Sequence, residues 1–247
     1  MARNVTTYVR SECGSHSAAY LGRCPRCGEW GTLEPESSGP APLGSTGRAA
    51  RSLEAVQLED VLDAARARRP SGDAEVDRVL GGGWVVGSAL LIAGEPGIGK
   101  STLLLQLAQH AVQQGRTVLY VAGEESPSQV RMRADRLGLG SGMQLTREND
   151  AGVIAAHLRS SAPDLMIVDS IQTLVAGEGA VPGTVTQLRD STALLVEAAK
   201  ESGTTLVLIG HVTKQGSIAG PKIIEHVVDA TFALESAAGL RVLRSLK

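Results

Sequence analysis

Eight consecutive residues, Gly94-Glu95-Pro96-Gly97-Ile98-Gly99-Lys100-Ser101, carry the spacing G-x-x-x-x-G-K-[ST], and each fixed position has a chemical reason. A loop can wrap a polyphosphate with successive backbone N–H groups only where side chains stay out of the way, hence the glycines. A helix starting behind the loop adds partial positive charge. Lys100 is then expected to reach the β- and γ-phosphates and the Ser101 hydroxyl to ligate Mg²⁺, with Thr102 closing the nucleotide-binding stretch. The second half of such a site is a carboxylate at the end of an apolar strand, and Leu165-Met166-Ile167-Val168-Asp169 supplies it. A third group follows Val118 to Ala122, at Gly123-Glu124-Glu125. One of these glutamates is expected to orient and deprotonate the attacking water. The other can serve as the N-terminal charge of a helix beginning at Ser126-Pro127.

These groups need rigid elements to hold them, and the surrounding pattern supplies them. Ala89 to Ala93, Thr117 to Ala122, Leu165 to Val168 and Thr205 to Ile209 are short, nearly continuous apolar runs of the kind found in strands buried on both faces. Ser101 to Gln114 and Thr184 to Ser202 carry apolar residues at helical spacing, with Gly115 and Gly203 as C-terminal stops. The alternation predicts an α/β fold with a mainly parallel, doubly wound sheet. Val227 to Leu234 and Leu240 to Leu246 read as two more strands, joined by a turn at 236–239.

The 247 residues suffice for one well-cored domain and a small appendage. Apolar residues make up 43% of the chain and aromatic ones only 2%, so the core must be largely aliphatic. A net charge of −2 gives no global attraction for nucleic acid, and any DNA contact must come from local basic loops. Met1 to Arg10 lacks an apolar core of about 7 to 15 residues, and no apolar run approaches a membrane span, so a cytoplasmic location without membrane contact is expected. Cys13, Cys24 and Cys27 all fall near the start, a clustering that in such a compartment favours metal or redox chemistry over a disulfide. A Pro/Gly/Ser/Ala-rich stretch, 34–51, reads as a flexible linker between this unit, 1–33, and the domain over 52–247.

Beyond the phosphate loop the chain resembles the bacterial RadA (Sms) family. The resemblance is carried in order by Glu75-Val76-Asp77-Arg78-Val79-Leu80-Gly81-Gly82-Gly83, Gly87-Ser88, Gly94 to Gln106, Tyr120-Val121-Ala122-Gly123-Glu124-Glu125-Ser126, Asp169-Ser170-Ile171-Gln172-Thr173 and Gly210-His211-Val212-Thr213-Lys214. Gly216 to Lys222 and Glu225-His226-Val227-Val228-Asp229 extend it. It implies a RecA-like core and a DNA-dependent ATPase that forms a ring, processes recombination intermediates in DNA repair and works with a RecA-type recombinase. It also implies that Glu124 is the water-activating carboxylate and that Gln172, His211 and Lys214 sense the γ-phosphate. Without the family, His211 reads as a strand-end histidine.

Ligands of open α/β sheets bind beyond the carboxyl ends of the strands, so 177–189, contributing Arg189, and 214–222, contributing Lys214 and Lys222, are the expected contacts to single-stranded or branched DNA. With few aromatics, binding should run through the backbone of the nucleic acid. The resemblance implies a four-thiolate zinc unit, but Arg10 stands where its first cysteine would be. Cys13, Cys24 and Cys27 leave that site one ligand short, with His16 as the substitute, and a weakened Zn²⁺ site is expected. The sequence ends at Lys247, where the family continues into an Asn-Arg-Phe-Gly segment and a Lon-protease-like domain. A cation supplied across a subunit boundary is worth roughly 10³ to 10⁵ in rate, so weak hydrolysis is expected. Two other readings stand beside the DNA-dependent one: a RecA-like ATPase acting on protein partners, and a nucleotide-binding but catalytically idle subunit or regulator.

Overall fold

The structure, a computed structural model, describes residues 7–10, 16–17, 33–36, 68–177, 179–211 and 221–247. The chain divides into two compact units, residues 1–58 and 59–247. In the first, β1 (Thr7–Arg10), β2 (His16–Ser17) and β3 (Leu33–Glu36) form an antiparallel sheet in the order β2-β1-β3. The third strand continues through Glu36, into the stretch that composition assigns to the linker. It accommodates Pro35 because β3 is an edge strand, where a proline need not donate to a ladder. Arg10 closes β1 opposite Leu33. Cys13, Cys24 and Cys27 lie outside the described residues, as does the rest of the linker.

The second unit runs β4 (Arg68–Arg69), α1 (Ala74–Val79), β5 (Trp84–Val85), β6 (Ala89–Gly94), α2 (Lys100–Gln113), β7 (Val118–Ala122), α3 (Pro127–Arg136), β8 (Gln144–Thr146), α4 (Ala151–Ser161), β9 (Leu165–Asp169), a 3₁₀ turn (Ile171–Thr173), α5 (Val185–Ser202), β10 (Thr205–His211), α6 (Pro221–Glu225), β11 (Ala230–Ala237) and β12 (Leu240–Ser245). Seven strands make one sheet, ordered β12-β11-β6-β10-β9-β7-β8, in which every neighbouring pair is parallel except β11 and β12. The α/β fold with a mainly parallel sheet is therefore present, and no described helix is long and apolar enough to cross a membrane.

Strand alternation sorts the aliphatic core into two layers. Ala89, Leu91, Leu119, Val121, Met166, Val168, Leu206 and Leu208 pack with α4 and α5 on one face. Leu90, Ile92, Val118, Tyr120, Leu165, Ile167, Val207 and Ile209 pack with α2 on the other. Local signals close the helices. Ser126 and Gln129 form a reciprocal capping box at the start of α3 with Pro127 in its first turn, and Gly203 in the left-handed region (φ 71°) ends α5. Two sequence expectations shift. Val227 and Val228 are not in a strand: β11 begins at Ala230, and Val228 is buried in the α4/α5 layer. Arg189 is not a loop residue: Thr184 caps α5, which places Arg189 in its second turn, exposed and paired with Asp190 at 3.2 Å.

At the amino ends of the strands Asp164 ties three segments together. It accepts from the Thr117 backbone N–H (2.9 Å) and hydroxyl (3.0 Å) and pairs with Arg69 of β4. Burial works to raise its pKa, but the Thr117 and Arg69 hydrogen bonds outweigh burial and hold it below the usual aspartate value. A carboxylate depressed in this way stabilises the fold above its unfolded pKa and loses that contribution as pH falls through the folded one. Asp164→Ala should therefore cost about 1 to 3 kcal/mol at pH 7. Urea unfolding at pH 7 and again near pH 3 checks this, and the gap between variant and parent should narrow at the lower pH.

Candidate active site

The loop between β6 and α2 is bent by Gly97 (φ 79°) and Gly99 (φ 111°), conformations that side chains resist. Gly94 has a different constraint: a Cβ there would lie 2.5 Å from the Leu234 carbonyl oxygen of β11. Gly99 occupies the N-cap of α2 and provides no side-chain cap, so the first N–H groups of the helix remain available to an anion. Behind them the Lys100 ammonium is buried, with 4% of the residue exposed. It donates to the carbonyls of Gly94 (2.8 Å) and Glu95 (2.9 Å) and contacts His211 Nδ1 at 3.2 Å. Burial lowers its pKa, opposed by the charges of Asp169 and Glu124.

An ammonium has only donors, so His211 Nδ1 must accept from Lys100. That assigns the ring proton to Nε2, which lies 3.0 Å from Glu124 Oε1 and donates to it. The Ser170 hydroxyl donates to the same oxygen. The chain of contacts Lys100–His211–Glu124–Ser170 thus joins the loop after β6 with the ends of β10, β7 and β9. Glu124 is held low, at a pKa of about 2, first by the His211 hydrogen bond and then, against the opposing effect of burial, by Ser170 and the Lys100 charge. Glu125 pairs instead with Arg133 of α3. The two adjacent glutamates, indistinguishable in type, are separated by their partners.

Asp169 ends β9 with 7% of its surface exposed and accepts from the Tyr120 hydroxyl at 2.6 Å. Gln172 sits in the 3₁₀ turn, where its Oε1 is buried without a hydrogen-bond partner among the described residues. A cavity of about 380 Å³ gathers Gly97, Gly99, Lys100, Ser101, Thr102, Glu124, Glu125, Arg133, Arg136 and His211. A second, of about 570 Å³, shares Gly99 and Thr102 with it and runs between α1, α2 and β12, past Gln106 and Arg241. The structure therefore brings Lys100, Ser101, Glu124 and His211 together at one cavity. Asp169, Gln172 and Arg189 are not among the residues lining it, the Lys222 side chain is not described, and Lys214 lies outside the described residues. Tyr120, Ser170, Arg133 and Arg136 were not singled out by sequence. A tyrosine inside an otherwise aliphatic strand was the available signal for Tyr120.

A family model described as an AAA domain matches residues 53–217, two thirds of the chain. The chain belongs to that family. Within it, the particular likeness is to DNA repair proteins named RadA, as the motifs implied. The RadA of Mycobacterium tuberculosis H37Rv is 44% identical over 254 residues, covering 100% of this chain and 53% of that protein. Those of Brucella abortus (43%, covering 100% and 56%) and Bacillus subtilis (38%, covering 100% and 56%) are similar in the same way. The chain spans about half the length of these curated relatives. A model described as a rubredoxin metal-binding domain matches residues 8–35.

The junction of β7 and β9 sets the position of Glu124. Gly123 N–H donates to the Asp169 carbonyl at 2.7 Å, and a Cβ on Gly123 would meet Thr173 Oγ1 at 1.9 Å. Gly123→Ala should destabilise the fold by about 1 to 3 kcal/mol. Thr173→Ala should recover part of that loss in the double variant, a non-additivity that thermal denaturation of the four proteins would expose.

Proposed function

We propose that this chain binds and hydrolyses ATP with Mg²⁺ at the Gly94–Thr102 loop, and that it couples hydrolysis to DNA in recombinational repair. The observation that carries the reading is the convergence of a buried lysine and an ionised glutamate on one cavity at the carboxyl ends of parallel strands. The triphosphate would occupy that cavity, with the base and ribose extending into its neighbour past Thr102 and Gln106. The Ser101 hydroxyl and the Asp169 carboxylate are the hard oxygen donors that Mg²⁺ prefers, and the ion would neutralise charge on the phosphate oxygens. All three Lys100 donors are engaged here, so a phosphate oxygen must displace one of them. Displacing His211 is the exchange that leaves the loop carbonyls satisfied. It also moves the group that holds Glu124, and phosphate occupancy thereby reaches the end of β10.

A carboxylate with a pKa of about 2 is always charged at neutral pH but is far from the value suited to removing a proton. Glu124 is therefore assigned to accepting a hydrogen bond from the attacking water and orienting it, which suffices for a loose phosphoryl-transfer transition state. The names of the relatives, DNA repair proteins, support DNA as the partner. Arg189, Lys214 and Lys222 remain the proposed DNA contacts, with Gln172 and His211 as sensors. A cytoplasmic setting, a ring of like subunits and a RecA-type recombinase belong to the same proposal. Cys13, Cys24 and Cys27 are proposed zinc ligands, and elemental analysis of the purified chain should find substoichiometric zinc.

Steady-state hydrolysis with and without single-stranded DNA, beside Lys100→Ala, tests the reading. Turnover should rise with DNA and vanish in the variant, whereas ATP binding without turnover in either condition would point to an idle subunit. The pH profile gives a second check. The parent should show no acid limb from Glu124 down to about pH 4, because its folded pKa is about 2. In His211→Ala the largest cause of that depression is gone, so a limb should rise toward the ordinary glutamate value of 4.5.

A further inference from the structure

Tyr120 lies in the middle of β7 among aliphatic neighbours, with 1% of its surface exposed. Its ring fills the layer under α2, a task that phenylalanine would perform equally well. The hydroxyl is the polar addition, and its hydrogen bond runs to Asp169 Oδ2 at 2.6 Å. Sheet register explains the reach. Tyr120 pairs with Ile167 and Ala122 with Asp169, so Tyr120 and Asp169 are diagonal neighbours projecting from the same face. Among the described hydrogen bonds Asp169 Oδ2 has this donor, and none is found at Oδ1.

We propose that Tyr120 is a positioning residue for the metal: its hydroxyl ties down one oxygen of Asp169 and thereby fixes the other for the magnesium shell. The inference rests on the reading in which Asp169 serves Mg²⁺, and it adds the group that orients Asp169. A phenylalanine in its place leaves a buried carboxylate without its donor, free to turn about its own bond. The expected deficit lies in the use of the metal rather than in the recognition of the nucleotide.

The test is equilibrium binding of a fluorescent ADP and of ATP to the full chain, each in Mg²⁺ and in EDTA, for the parent, Tyr120→Phe, Asp169→Asn and the double variant. Melting curves would confirm that each is folded. For Tyr120→Phe the affinity in EDTA should match the parent, while the gain in affinity on adding Mg²⁺ should shrink about three- to tenfold. In the Asp169→Asn background the same substitution should change nothing further, because its effect passes through Asp169. If Asp169→Asn abolishes the Mg²⁺ gain but Tyr120→Phe retains it in full, the positioning role is wrong. A Tyr120→Phe effect that is equal in EDTA, or additive with Asp169→Asn, would reduce Tyr120 to a packing residue. If Asp169→Asn itself leaves the Mg²⁺ gain intact, the assignment of Asp169 fails first and takes this inference with it.

Discussion

A buried ammonium must have every donor engaged, and the site is organised around meeting that requirement for Lys100. Two of its partners are backbone carbonyls of the loop that precedes it, so the loop's own curvature satisfies most of the charge. The third is a histidine ring from the far end of β10, the strand beside β6 in the sheet. That contact gives the ring its tautomer, and the tautomer in turn gives Glu124 a donor. Remove the lysine and the histidine loses its Nδ1 partner, while the glutamate loses one of the charges that hold its pKa low.

The two ends of the sheet are built on different physical terms. At the amino ends, Asp164 binds the starts of β7 and β9 to β4 through a static set of hydrogen bonds, and Arg116 reaches the Pro70 carbonyl at 3.0 Å. At the carboxyl ends the strands meet through glycines. Gly94 lets β6 lie against the β11 backbone, and Gly123 lets β7 close on the 3₁₀ turn after β9. The amino ends are thus tied by ion pairs and hydrogen bonds to backbone, whereas the carboxyl ends rely on close backbone approach and on side-chain contacts that can exchange.

Much of this architecture was legible from the residues. The glycine-rich turn between β6 and α2, the apolar strands and the helices of the central layer follow from spacing alone, because a strand buried on both faces and a helix buried on one leave different periodicities. The short elements were harder. The three residues of β8 and the six of α1 carry too few positions for a period to emerge, and α4 is recognisable mainly by its cap, with Asp150 accepting from the Gly152 and Val153 N–H groups. Which glutamate pairs with His211 was not readable from composition, since Glu124 and Glu125 are adjacent, identical in type and both line the cavity. The hydrogen bonds of Tyr120 and Ser170 depend on register between strands distant in sequence, information that no local window holds.

That register has a consequence for how the gene can change. Consecutive strand residues point to opposite layers, and Tyr120, Ile167 and Asp169 share a side only because β7 and β9 are in step. Exchanging one aliphatic residue for another within these strands leaves the step intact. Inserting or deleting a single codon early in β7 would send the tyrosine toward α4 and α5, and the same change in β9 would turn the aspartate to the opposite face of the sheet. Lineages carrying this sheet should therefore accumulate substitutions in β7 and β9 freely while length changes are confined to the connections between them.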